Sequence, residues 1–181
     1  MRIFVNQYIC IMEKPLYHYF TDDHRQIEAI LEKAIENIEQ VNDTYYQEFR
    51  ARLLTHIKME EKILFLAAQK ANNNVPLPLA AQLRLEHGAI TSLMVPSPTP
   101  ELIKVLKHVL EIHDIKEEEE GGMYDACEAM TVQQREEILE QLGNVTLTPI
   151  HPHNDAPIAL EAAKRALLRA GFDYDKIVAE Q

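Results

Sequence analysis

The chain has 181 residues, 46% of them hydrophobic, which is enough for one domain with its own core. A formal charge of −11 argues against a nucleic-acid or anionic-membrane surface, since both need a basic patch. Two distant cysteines, Cys10 and Cys127, with no CxxC, exclude a disulfide framework and a zinc knuckle and fit a reducing cytoplasm.

Glycine is scarce and helix formers are plentiful, which predicts an all-α protein. No apolar run approaches the roughly 20 residues of a membrane helix. Residues 1–11 carry one Arg and no small-residue cleavage site, so they read as an extended N-terminal arm rather than a signal peptide. Met12 would also serve as a start, because the helical pattern begins just after it. Pro15 takes the N1 place of a first helix, and Leu16, Phe20, His24, Ile27, Leu31 and Ile38 keep helical step to about Val41. Asn42-Asp43 is the break. A second helix runs from about Thr44 to Lys70, with a stripe through Phe49, Leu53, His56, Glu60, Ile63 and Ala67. The Asn- and Pro-rich stretch 71–78 is a turn.

A third helix covers about Leu79 to Met94 and puts Leu83, His87, Ile90 and Met94 on one face. The three prolines of 95–100 interrupt it, and Thr99 with Pro100 starts a fourth helix as N-cap and N1. Its stripe is Leu102, Leu106, Val109, His113 and Glu117, and it runs to about Glu120, where Gly121-Gly122 break or kink it. Thr131 opens a short helix with Gln134 as capping-box partner, ending near Gly143. Residues 144–157 are loop. A last helix from about Ala156 to Ala170 has an Asn154/Asp155 cap and stops at Gly171. Short connections between the four long helices predict an up-down-up-down bundle over 12–130, with 131–181 as a C-terminal helical extension.

The polar members of the stripes carry the chemistry. A buried unpaired carboxylate is very costly, so it is neutral, paired with a cation, or bound to a metal. One His-Glu pair at i, i+4 is also what a hydrogen-bonded core makes, but this chain repeats the pattern. HRQIEAIL resembles HGAITSLM, and HIKMEE resembles HDIKEE, as if one helical hairpin were duplicated. The set His24, His56, Glu60, His87, His113 and Glu117 converges at one level of an antiparallel bundle and suits first-row transition metals. The Glu-x-x-His order of ferritin-like di-iron proteins fits less well, because here His precedes Glu.

DDHR (22–25), HIKMEEKILF (56–65), LEHG (85–88) and HDIKEEEEGGMYDACE (113–128) resemble the hemerythrin-like HHE cation-binding family over about 12–130. The resemblance implies two iron ions in an oxo- or hydroxo-bridged di-iron centre. His24 and His56 would hold one iron, His87 and His113 the other, with Glu60 and Glu117 bridging. Oxygen-carrying hemerythrins add a histidine one turn from the third-helix ligand, where this chain has Leu83 and Thr91. Each iron would then keep one open position, which suits a centre that binds, turns over or senses oxygen, peroxide or nitric oxide, or one that handles iron. The alternatives are a di-iron enzyme of peroxide or nitric oxide turnover or iron-centre repair, and an interaction module whose acidic surface or C-terminal extension binds a protein partner and whose metal is structural.

The remaining candidates read as bystanders. His18 and His108 lie off the ligand faces, and His151 and His153 sit in a solvated loop. Glu61 and Glu118 point about 100° from the ligand carboxylates and are surface groups or partners of a ligand imidazole's other nitrogen. Tyr17, Tyr45 and Tyr46 read as helix-end packing.

Overall fold

The structure, a computed structural model, describes residues 14–180, so the N-terminal arm, Cys10 and Met12 lie outside the described residues. Every regular element among them is helical, with no strand, as the composition predicts. None of these helices is long and apolar enough to cross a membrane.

Helix α1 (Pro15–Ala34) begins with proline at N1 and buries Leu16, Phe20, His24, Ile27 and Leu31. It ends well before the predicted Val41, and Ile38 and Val41 pack on the core from the following turn. Helix α2 (Asp43–Met59) is capped by Asn42, whose side chain accepts from Tyr45 N. At Glu60–Leu64 the chain passes through a π-turn, in which Phe65 N reaches back to Glu60 O, before α3 (Phe65–Ala71) resumes α-geometry. The single continuous second helix is therefore corrected. The extra residue of a π-turn rotates the stripe by one position. Leu64 and Ala68 are buried, where an unbroken helix would have buried Ile63 and Ala67.

Helix α4 (Ala80–Leu93) buries Leu83, His87 and Ile90, and α5 (Pro100–Glu118) buries Leu102, Leu106, Val109, His113 and Glu117 behind its Thr99 cap. After the glycine pair comes α6 (Met123–Met130), which packs on α1 and α5. Thr131 does not cap a helix. Its hydroxyl donates to Cys127 O at the end of α6, and α7 (Arg135–Gly143) starts after Gln134 without a side-chain cap. Helix α8 (Pro157–Ala170) likewise has no side-chain cap, because Asp155 is drawn to Ser97 N and Oγ at 2.7 and 2.8 Å. It ends at Gly171 in the left-handed conformation, and α9 (Tyr174–Ala179), capped by Asp173, follows.

Two apolar clusters form the core. One joins Ile27, Leu31, Phe49, Leu53, Ile90, Leu106 and Val109 to Ala163, Ala166 and Leu167 of α8. The other joins Leu16, Phe20, Leu64, Phe65 and Leu83 to Met123, Tyr124 and Cys127 of α6. The buried histidines of α1, α2, α4 and α5 lie where the chain passes from one cluster to the other, His56 beside Ile57 of the first and Met59 of the second.

Candidate metal centre

All six predicted residues meet. His24, His56, Glu60 and Glu117 form one group of converging donor atoms, and Glu60, His87, His113 and Glu117 form a second. Each is buried, with both carboxylates fully out of solvent. The two groups share their glutamates. Glu60 turns Oε1 to His56 Nε2 (3.3 Å) and Oε2 to His87 Nε2 (3.1 Å). Glu117 turns Oε2 to His24 Nε2 (3.6 Å) and Oε1 to His113 Nε2 (3.3 Å). Each carboxylate thus spans both histidine pairs.

The outer edge of every imidazole is held by another carboxylate. Nδ1 of His24 lies 2.7 Å from Glu118, of His56 2.8 Å from Asp23, of His87 3.0 Å from Glu61, and of His113 2.9 Å from Glu86. The links follow the duplication. The acidic residue preceding the histidine of α1 or α4 serves the second helix of its own hairpin, and the one following each shared glutamate serves the first helix of the other hairpin. Glu61 and Glu118 therefore take the imidazole-partner option of the sequence reading. Asp23 and Glu86 were not singled out there, although each directly precedes a stripe histidine.

An ionised carboxylate only accepts, so each Nδ1 carries the donated proton and each neutral ring presents an Nε2 lone pair inward. His87 Nε2 and His113 Nε2 then face each other at 3.1 Å. Glu60 Oε2 and Glu117 Oε1 have no hydrogen-bond partner although ring nitrogens stand at 3.1 and 3.3 Å. When the rings are neutral and the carboxylates ionised, these lone pairs are aimed at shared points, which is what a metal cation satisfies in place of protons. The imidazole and carboxylate set fits a first-row transition metal.

The electrostatics of the bare cluster also demand positive charge. Burial opposes a charge on His56, but Glu60 and Asp23 outweigh it and raise its pKa to about 10. Burial likewise acts against His87, and Glu60 with Glu61 raises it to about 9. At His113 burial, helped by the charge of His87, outweighs Glu86 and lowers the pKa to about 4. The carboxylates split. Burial and the charge of Glu60 push Glu117 well up, while His56 and His87 overcome burial to hold Glu60 well down.

One functional side chain escaped the sequence reading. Tyr124, from α6, puts its hydroxyl 2.6 Å from Glu60 Oε1 and 3.0 Å from Glu117 Oε2. The signal that could have found it is the spacing of Met123, Tyr124 and Cys127, one apolar face of a short helix, all three buried. Among the bystanders, His18 is exposed and His108 packs edge-on against Phe172. His151 is exposed, and His153 stacks on Tyr46. Tyr17 donates to Glu118 O, and Tyr46 is fully buried. Burial, then the charges of Glu60 and Glu117, pushes the Cys127 thiol far up, so it stays protonated.

No family model, no curated protein and no solved structure matches this chain.

Proposed function

We propose that this is a hemerythrin-like protein that holds two iron ions and binds or senses oxygen, nitric oxide or peroxide, or handles iron. One observation carries the reading. Two fully buried glutamates each divide their oxygens between two histidine pairs, leaving Glu60 Oε2 and Glu117 Oε1 without a hydrogen bond. A single cation would need one group of donors, whereas two groups sharing both carboxylates suit a pair.

The traverse of the two apolar clusters supports an up-down-up-down bundle around this layer. Helix α1 runs from the Phe20 cluster to the Leu31 cluster, and the chain from α2 into α3 runs back. Helices α4 and α5 repeat the two directions.

His24 and His56 would hold one ion, and His87 and His113 the other, with Glu60 and Glu117 shared. Bound iron would supply a redox-active Lewis acid able to take a small exogenous molecule. The chain's own part is to orient and to exclude. The four outer carboxylates fix each ring with Nε2 inward, and the two apolar clusters keep water out. A cavity of about 30 Å³ lies against the layer, with Ile27, Leu53, Ile57 and Ile90 among its walls and His24, His56 and His113 at its edge. Its volume suits a molecule of two or three heavy atoms rather than a larger substrate.

Elemental analysis of the full chain, expressed with ample iron, tests the proposal. Two irons per chain is the expected result, and one or none defeats it.

A further inference from the structure

Tyr124 sits on one side of the cluster only. Besides its contacts to Glu60 Oε1 at 2.6 Å and Glu117 Oε2 at 3.0 Å, its hydroxyl oxygen is 3.2 Å from His24 Nε2 and 3.3 Å from His56 Nε2. These four atoms belong to the four residues of the first donor group. In the protonation state that binds metal, with neutral imidazoles donating through Nδ1 and both carboxylates ionised, all four are acceptors. A phenol has a single proton, so it can serve one of them and turns its own lone pairs toward the other three. The residue is 1% exposed, and water cannot relieve the conflict.

The phenol is not free to withdraw. Its ring packs against Phe20 at 5.3 Å and Tyr17 at 6.3 Å between centroids. Helix α6 is tied down at its far end by Glu128, whose carboxylate accepts from Leu16 N and Tyr17 N of α1. At its near end Gly122 makes a turn in which any Cβ would stand 2.7 Å from Lys116 O.

We infer that Tyr124 is a seventh metal donor, its oxygen binding the ion of His24 and His56 while the ion of His87 and His113 has one donor fewer. Binding replaces the O–H bond by an O–metal bond, and the proton is released to the solvent. The two halves of a duplicated site thereby become unequal, and the free position falls to the ion of His113, whose ring also edges the small cavity. This inference rests on the metal reading above.

The experiment uses the full chain purified in air and loaded with iron(III). Iron is counted by elemental analysis, and the visible absorption and resonance Raman spectra are recorded on the same sample. The expected result is two irons, a phenolate-to-iron charge-transfer band, and enhanced tyrosine ring vibrations that shift when ring-deuterated tyrosine is incorporated. Tyr124→Phe keeps the ring packing and six donors. It should retain its iron and helical circular dichroism and lose the band. Two irons without phenolate bands in the unaltered chain overturns this inference and leaves the metal reading standing. A band that survives in a folded, iron-loaded Tyr124→Phe also overturns it. A chain that binds no iron overturns both.

Discussion

Glu86 holds Nδ1 of His113 at 2.9 Å, although the histidine beside it in sequence is His87. The carboxylate is fully buried and also takes Lys116 Nζ at 2.8 Å and Gln82 Nε2 at 2.7 Å. Burial pushes its pKa up, but these donors outweigh burial and bring it down to about 2. Glu86→Ala should weaken metal binding about 10- to 100-fold, because the ring it orients is freed. It should also cost about 2 kcal/mol, less than a fully buried broken pair, since Lys116 can turn to solvent. Glu86→Gln, which keeps an acceptor, should lose less of both. Metal titrations and thermal melts of the two variants measure this, and an unchanged affinity in Glu86→Ala would remove Glu86 from the site.

Histidines inside and outside the cluster should separate cleanly. His56→Ala and His113→Ala each delete an inward Nε2 and should lose at least one metal ion per chain. His18 is exposed and His108 faces Phe172, so His18→Ala and His108→Ala should keep full metal content. Elemental analysis of the four variants decides it. Loss of metal in His18→Ala with retention in His24→Ala would require a different α1 ligand.

Helix α1 receives its cap from another helix. Lys14, at the N-cap, provides no side-chain cap, and Glu128 of α6 supplies the acceptor at 2.8 Å to Leu16 N and 3.1 Å to Tyr17 N. A carboxylate there also meets the positive end of the helix dipole. Glu128→Ala should cost about 1–2 kcal/mol, or about 2–8 °C in melting temperature for a chain of this size. Glu128→Gln, which still accepts but carries no charge, should cost about half as much. Melts of the three proteins would reject the cap if Glu128→Ala matched the unaltered chain.

The helical period was enough to bring His24, His56, Glu60, His87, His113 and Glu117 together, because a stripe that buries Phe49 and Leu53 must also bury what lies in step with them. It failed from Glu61 onward, where the π-turn adds a residue and transfers burial from Ile63 and Ala67 to Leu64 and Ala68. A π-turn answers to packing around a site and leaves no residue signature of its own. Tyr124 was hidden for a different reason. Its place depends on how the chain folds back after Gly121, at φ 80°, a tertiary fact that local spacing does not carry. The Nδ1 partners lie between: Glu61 and Glu118 follow from a 100° step, but the pairing of Asp23 with His56 crosses helices and needs the assembled structure.

Without metal, the protein should lose stability as pH rises above 7. Between pH 7 and 9 the folded state without metal holds a proton on His56 (pKa about 10) and a diminishing share of one on His87 (about 9), and the upward shift of Glu117 acts in the same direction. In the unfolded chain these groups are largely deprotonated above pH 7, with ordinary histidine near 6.5. The folded state therefore binds more protons, and stability falls as pH rises. The contribution is full below the unfolded pKa values and is lost through the folded ones. Each proton in excess gives a slope of about 1.4 kcal/mol per pH unit. His113, lowered to about 4, is neutral in both states across this window, and Glu60, held low, is ionised in both, so neither reverses the sign. Bound metal changes the balance, because it requires neutral imidazoles and ionised carboxylates and displaces those protons. The loaded protein should melt higher at both pH values and nearly alike at each, by the linkage of binding to the folded state alone. The chelated protein should melt at least about 4 °C lower at pH 9 than at pH 7. Thermal melts of chelated and reloaded protein at the two pH values make the comparison. Coincident melts throughout would mean that the six residues satisfy one another and hold no metal.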